Sequence, residues 1–242
     1  MLKEIKHVDK RGFSYAFNLF RWEFESSWVG KKRKVDIIAL TDHNSCDGLY
    51  EAISEGKRSD IVVIPAVELS TKYKENRVHI LGYFKDDSYN NELFKEVLRK
   101  IKGDKIGDLR SIFGSKINFN GYKKKLYVES GIQLLGFFGA TVVLAHPVLL
   151  SRECFFNIEN MDFDGIEARY FLNNEQDTEF YIKFAKEKGL YYTAGSDFHT
   201  RIEELYCYQF YHNFLSVLIE TSMLYYPLQS SLFPHSNQQK PK

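Results

Sequence analysis

Residues 35–45 read Val-Asp-Ile-Ile-Ala-Leu-Thr-Asp-His-Asn-Ser. An apolar run ends at Leu40 and the polar residues Thr41 to Ser45 follow at once, the form expected of a buried strand emptying into a loop. A helix is expected next, around Leu49 to Ser54, stopping near Gly56. The same punctuation returns downstream. Ile61 to Val67 (IVVIPAV) ends in Glu68, and Val78 to Phe84 (VHILGYF) follows the charged turn Lys72 to Arg77. Thr141 to Ala145 (TVVLA) ends in His146-Pro147, Gly165 to Tyr170 reads GIEARY, and Leu190 to Ala194 leads into Gly195-Ser196-Asp197-Phe198-His199. Helical stretches lie between these runs. Asn90 and Asn91 offer caps for a helix through Ile101 with Phe94, Val97, Leu98 and Ile101 on one face, and Gly131 to Phe138 predicts a short helix. A further helix from about Glu175 to Lys188 closes at Gly189. Strands alternating with helices over residues 35–200 predict an α/β fold, with parallel strands joined by crossover helices into a barrel.

The chain has 242 residues, within the range of a single α/β barrel domain, taken here as residues 1–226 with a polar, proline-punctuated tail at 227–242. Hydrophobic residues at 44% and charged residues at 27% suffice for a packed core and argue against disorder. With Lys+Arg at 33 against Asp+Glu at 32, the net charge of +1 removes the bulk electrostatic basis for a duplex nucleic-acid or membrane-surface binder. No apolar run approaches the ~20 residues that cross a bilayer. The charged start MLKEIKHVDK gives no signal peptide, so a cytoplasmic protein is expected. Cys46, Cys154 and Cys207 form no C-x-x-C pair and read as small buried hydrophobes. Residues 103–130 are the least legible stretch, and their cluster Lys123 to Lys125 reads as a solvated face.

The chemistry lies in where the polar residues fall. His43, Glu68, His146, Asp197 and His199 each stand just past the C-terminal end of an expected strand, the end at which barrel enzymes build their sites. His79 stands at the other end of its run, but a hairpin-like return between Glu68 and His79 would bring the two together. Imidazoles and carboxylates gathered in one place are the ligand set for zinc, manganese or iron. Phosphate loops of the G-x-G-x-x-G and G-x-x-x-x-G-K-[ST] kinds are absent from the sequence, as is a G-x-S-x-G nucleophile turn.

These segments resemble the PHP (polymerase and histidinol phosphatase) family of metal-dependent phosphoesterases. The resemblance rests on DIIALTDHNS at 36–45, VELSTKYKENRVHILGYF at 67–84, VVLAHP at 142–147, DGIEARY at 164–170 and TAGSDFH at 193–199. It implies a distorted seven-stranded (β/α) barrel, TIM-like, and a cluster of up to three divalent metals, manganese, zinc or iron. It also implies the ligands: Glu68, His79 and His146 at one metal, His43 and His199 at a second, and Asp197 with first-strand residues at a third. Asp42 would orient its neighbours, and His199 or a metal-activated water would protonate the leaving oxygen. The branch it is most similar to hydrolyses phosphate esters of nucleotides and short oligonucleotides.

The sequence departs from the family at both ends. The family opens with H-x-H on its first strand, followed by a further ligand; here Ile5-Lys6-His7-Val8-Asp9 stands in that place, so His7 and Asp9 would offer His-x-Asp and the third ligand is missing. The barrel would then be incomplete at its first strand, with one or two metals bound. Residues 103–130 are also short for the insertion this branch carries, and TRIEELYCYQF follows the last motif. Divergence and a reading-frame error both produce such ends. A non-catalytic metal- or phosphate-binding remnant and an amidohydrolase-like C–N hydrolase are the competing readings.

Overall fold

A tight hairpin sits where the charged turn is expected. Strand β2 (Val62–Tyr73) turns through Lys74 and Glu75 into β3 (Asn76–Tyr83), with Tyr73 opposite Asn76 and Lys74 at φ 52°. Two residues can return a chain only antiparallel, because a parallel neighbour needs a crossover of a dozen or more. The expectation of parallel strands joined by crossover helices is therefore corrected at this point, and the hairpin-like return expected between Glu68 and His79 is present.

The protein is seen in a computed structural model that describes residues 37–58, 62–119, 125–195 and 197. Around the hairpin the sheet is completed by β1 (Ile37–Leu40), β4 (Thr141–Leu144), β5 (Gly165–Tyr170) and β6 (Tyr191–Gly195). The strands lie in sequence order. β1 pairs with β2, β4 with β5 and β5 with β6 in parallel, while β2–β3 and β3–β4 are antiparallel. This mixed six-stranded sheet curls into a half-barrel. The expected seven strands become six among the described residues; the expected first strand with His7 and Asp9, Cys207 and the tail 227–242 lie outside them.

Six α-helices accompany the strands among the described residues: α1 (Leu49–Arg58), α2 (Glu92–Lys102), α3 (Ile106–Phe113), α4 (Val128–Phe137), α5 (Arg152–Ile158) and α6 (Glu175–Lys188). The core lies between them and the outer face of the sheet, and one cluster holds Val67, Leu69, Val78 and Ile80 of the hairpin together with Phe94, Val97, Leu98 and Ile101 of α2. As expected, Asn91 caps α2, its Oδ1 accepting from the backbone of Leu93 at 2.9 Å and Phe94 at 3.2 Å. Gly189 closes α6 at φ 68°. The inner face of the sheet carries the small cluster Leu81, Val143 and Ala145. Alternation along β2 and β3 thus sends Val67 and Leu69 to the core and leaves Glu68 and Ser70 on the inner face.

Three expectations about elements are corrected. Helix α1 runs through Gly56 to Arg58, and β2 continues past Val67 to Tyr73, so Glu68 lies inside a strand and not beyond its end. Two helices, α3 and α5, occupy stretches with no expected element. Cys46 and Cys154 are buried free thiols, as expected, and Lys125 of the lysine cluster is exposed and paired with Asp104 at 2.6 Å.

Candidate metal centre

Beyond Leu40 the chain does not leave the sheet. Glu68 N–H donates to the Asp42 carbonyl at 3.2 Å and Asn44 N–H to the Glu68 carbonyl at 2.8 Å, so the β1–β2 ladder runs on as a bridge between His43 and Glu68. Asn44, at φ 49°, holds the turn by accepting from Ser70 N–H at 3.0 Å and donating to Ser70 Oγ at 3.3 Å. His43 is thereby set beside Glu68, with Nδ1 3.8 Å from Oε2 and 3.5 Å from Ser70 Oγ.

The hairpin supplies the second imidazole. Ser70 faces His79, so His79 projects on the side that carries Glu68, and its Nδ1 lies 2.8 Å from Glu68 Oε1. His146, just past β4, brings Nε2 to 3.3 Å from the same oxygen and 3.2 Å from His79 Nδ1. It takes a left-handed backbone, φ 27° and ψ 61°, which costs an L residue about 1–2 kcal/mol. Three imidazoles from three separate segments therefore converge on one carboxylate.

Glu68 is 4% exposed. Burial pushes its carboxyl up, but hydrogen bonds from His146 and His79 and the charges of His43 and His79 outweigh it and hold the group at about 2. For His146 the balance also runs against burial: burial lowers its pKa, while the Glu68 hydrogen bond and the charges of Glu68, Glu167 and Asp197 raise it overall. An ionised carboxylate surrounded by imidazole nitrogens is a donor set that favours a cation.

The donor set fits a divalent metal. His43, Glu68 and His79 each present one ligand atom, all within 4.8 Å of one another. Ligands held tetrahedrally at ~2.1 Å from one ion stand about 3.4 Å apart; the separations of 2.8, 3.3 and 3.2 Å among His79 Nδ1, Glu68 Oε1 and His146 Nε2 lie around that value, and His43 Nδ1 stands 3.8 Å from the other carboxylate oxygen, Oε2. The other nitrogen of His146, Nδ1, is buried without a hydrogen-bond partner, so that ring makes its polar contacts through Nε2, toward the cluster.

Two residues not singled out from the sequence stand against this cluster. The β5–β6 register shifts between Glu167 and Arg169, a bulge at Ala168. One extra residue reverses the alternation, so Glu167 and Tyr170, three apart, both reach the site. Glu167 Oε2 accepts from the His146 backbone N–H at 2.8 Å. Its burial drives the carboxyl up, to about 7, against the lowering effect of that bond. Tyr170 packs its ring 5.3 Å from that of His146 and donates its hydroxyl to Asp197 Oδ2 at 2.6 Å. Burial and Asp197 together keep the phenol protonated well beyond its ordinary range. Asp197 thus stands beside Tyr170 in the described contacts, Asp42 serves the ladder through its carbonyl, and His199 lies outside the described residues. The signal for Glu167 in the sequence was a carboxylate inside a short strand whose other charged residue is Arg169; the bulge that aims it has no sequence signature here.

No family model matches the sequence. A curated protein, a 5′-3′ exoribonuclease of Haemophilus influenzae, is 22% identical over 218 residues, covering 68% of this chain and 80% of that protein. Among solved structures, an amidohydrolase from Chromobacterium violaceum with bound sulfate and no metal superposes with a TM-score of 0.57 at 19% identity, over 72% of this chain and 81% of that one. A proposed metal-dependent phosphoesterase from Bifidobacterium adolescentis matches at TM-score 0.57 and 17% identity, over 75% and 82% of the two chains. At these identities the structural matches establish a shared fold.

Proposed function

We propose that this protein is a metal-dependent hydrolase of phosphate esters, of the PHP type, acting on nucleotides or short oligonucleotides. The observation that carries the proposal is the convergence of His43, Glu68 and His79 on one point at the inner face of the sheet, with His146 Nε2 beside them. A manganese, zinc or iron ion bound there would lower the pKa of a water and offset charge on phosphoryl oxygens.

The chain's own residues do the rest. Glu68 supplies the buried negative charge that favours a cation, and Asn44 and Ser70 hold His43 at its edge. Tyr170 restrains Asp197 by its hydroxyl, and Asp197 is assigned to a third metal position together with first-strand residues. His199 is assigned the proton for the leaving oxygen, and His7 and Asp9 the remaining ligand positions. The similarity to an exoribonuclease supports a nucleotidyl substrate, and the fold match to a proposed phosphoesterase supports the ester chemistry.

A second reading, C–N hydrolysis, is favoured by the fold match to an amidohydrolase. One panel separates the readings: chelated protein reloaded with manganese, offered nucleotide phosphomonoesters, short RNA oligonucleotides and cyclic amides. Manganese-stimulated release of phosphate or nucleotides is expected. Turnover of the amides alone would move the protein to the second reading, and background rates on every substrate with manganese bound would make it a non-catalytic metal-binding protein.

A further inference from the structure

Glu167 has no part in the ligand set or in the proton transfers proposed above, yet it is buried in the middle of β5, between β4 and β6, the strands that His146 and Asp197 follow. Its two oxygens are engaged on opposite sides. Oε2 takes the backbone N–H of His146, at the residue whose left-handed conformation turns the imidazole toward Glu68. Oε1 lies against Gly195 of β6, where a Cβ would stand 1.7 Å from it and 2.6 Å from Cδ. The glycine is therefore demanded by the carboxylate and not by its own backbone. Three residues on, Tyr170 repeats the pattern, covering the His146 ring and holding Asp197 two residues past Gly195.

We propose that Glu167 is a positioning residue for the metal centre: its carboxylate accepts the His146 N–H, holds His146 in the conformation that presents Nε2 to the cluster, and occupies the space that a side chain at Gly195 would need. This inference rests on the reading of the site as a metal centre. Groups that orient ligands from behind typically change metal affinity by about 10–100-fold when removed, with the ligands themselves intact.

The experiment titrates manganese into chelated wild type, Glu167→Gln, Glu167→Ala, Gly195→Ala and the Glu167→Ala/Gly195→Ala double variant, and follows amide exchange of His146 in the metal-free proteins. Glu167→Ala should weaken manganese binding by about 10–100-fold and speed exchange at His146 while leaving the β2–β3 hairpin amides protected. Glu167→Gln, which keeps an oxygen for the His146 N–H, should restore most of both. Gly195→Ala should mimic Glu167→Ala by pushing the carboxylate aside, and it carries the test if Glu167→Ala does not fold. Because both act through one contact, the double variant should bind no worse than the weaker single. Wild-type affinity in folded Glu167→Ala or Gly195→Ala, or additive losses in the double variant, would overturn the inference alone. Absence of manganese binding by the wild type would overturn the metal-centre reading and the inference with it.

Discussion

At the scale of single residues the protein turns on Glu68. Its carboxylate is the one anion that His43, His79 and His146 share in the described geometry, at 3.8, 2.8 and 3.3 Å. Replacing it with glutamine keeps shape and removes charge, so three imidazoles lose their anion and a cation loses its charged ligand. Supporting groups alone are worth about 10–100-fold in metal affinity, and Glu68→Gln is expected to cost at least that much. Isothermal titration with manganese or zinc measures it; unchanged affinity would make Glu68 a structural acid. Glu68, His43, His79 and His146 were legible in the sequence because each is a polar residue set abruptly against an apolar run. Glu167 and Tyr170 were not, since reading GIEARY by simple alternation sends them to opposite faces, and only the bulge at Ala168 brings them together.

At the scale of elements, the site depends on how the β2–β3 hairpin is held from behind. Helix α4 lies on its outer face through two glycines: a Cβ at Gly131 would meet Ile80 Cδ1 at 2.8 Å and Thr71 Cγ2 at 2.9 Å, and one at Gly82 would meet Leu135 Cδ2 at 2.6 Å. Ser70 and His79, on the opposite side, are one residue away from this contact. Gly131→Val forces the helix off the hairpin, and overpacking of this kind costs about 1–3 kcal/mol. Chemical denaturation should show that loss with an unchanged slope, and a variant as stable as wild type would mean that α4 can slide without cost. Elements with strong ends were legible: Asn91 opens α2, Gly189 closes α6, and GIEARY is β5 in full. Helices α3 and α5 were not, because at 8 and 7 residues they show too few turns for a periodic pattern. The antiparallel order was legible only at the charged turn between Glu68 and His79, where a hairpin-like return was expected. A run of buried residues looks alike in either direction, and only the two-residue connection at Lys74 and Glu75 reveals the reversal.

At the scale of the whole molecule the formal charge is only +1, so local groups govern how stability follows pH. In chelated protein Glu68 has a folded pKa near 2 against an ordinary 4.5, so its contribution is present above about 4.5 and is lost as pH falls toward 2. His146 is raised above 6.5; its contribution is complete below that value and disappears as pH rises through the folded pKa. Glu167, lifted from 4.5 to about 7, binds its proton more tightly folded than unfolded, so it too opposes folding increasingly as pH rises through that interval. The three together place the metal-free optimum near pH 4.5 and predict stability falling from there toward pH 8, first through Glu167 and then through His146 as well. A divalent cation acts in the other direction, since it competes with protons for the same imidazoles and binds more tightly as they are released. Thermal melts of chelated and manganese-loaded protein should therefore diverge as pH rises through neutrality, the chelated form losing several degrees while the loaded form holds. Parallel curves would show that the cation does not sit on His146 and Glu68, and a chelated protein that gains stability toward pH 8 would show that the buried pair is not charged in the metal-free state.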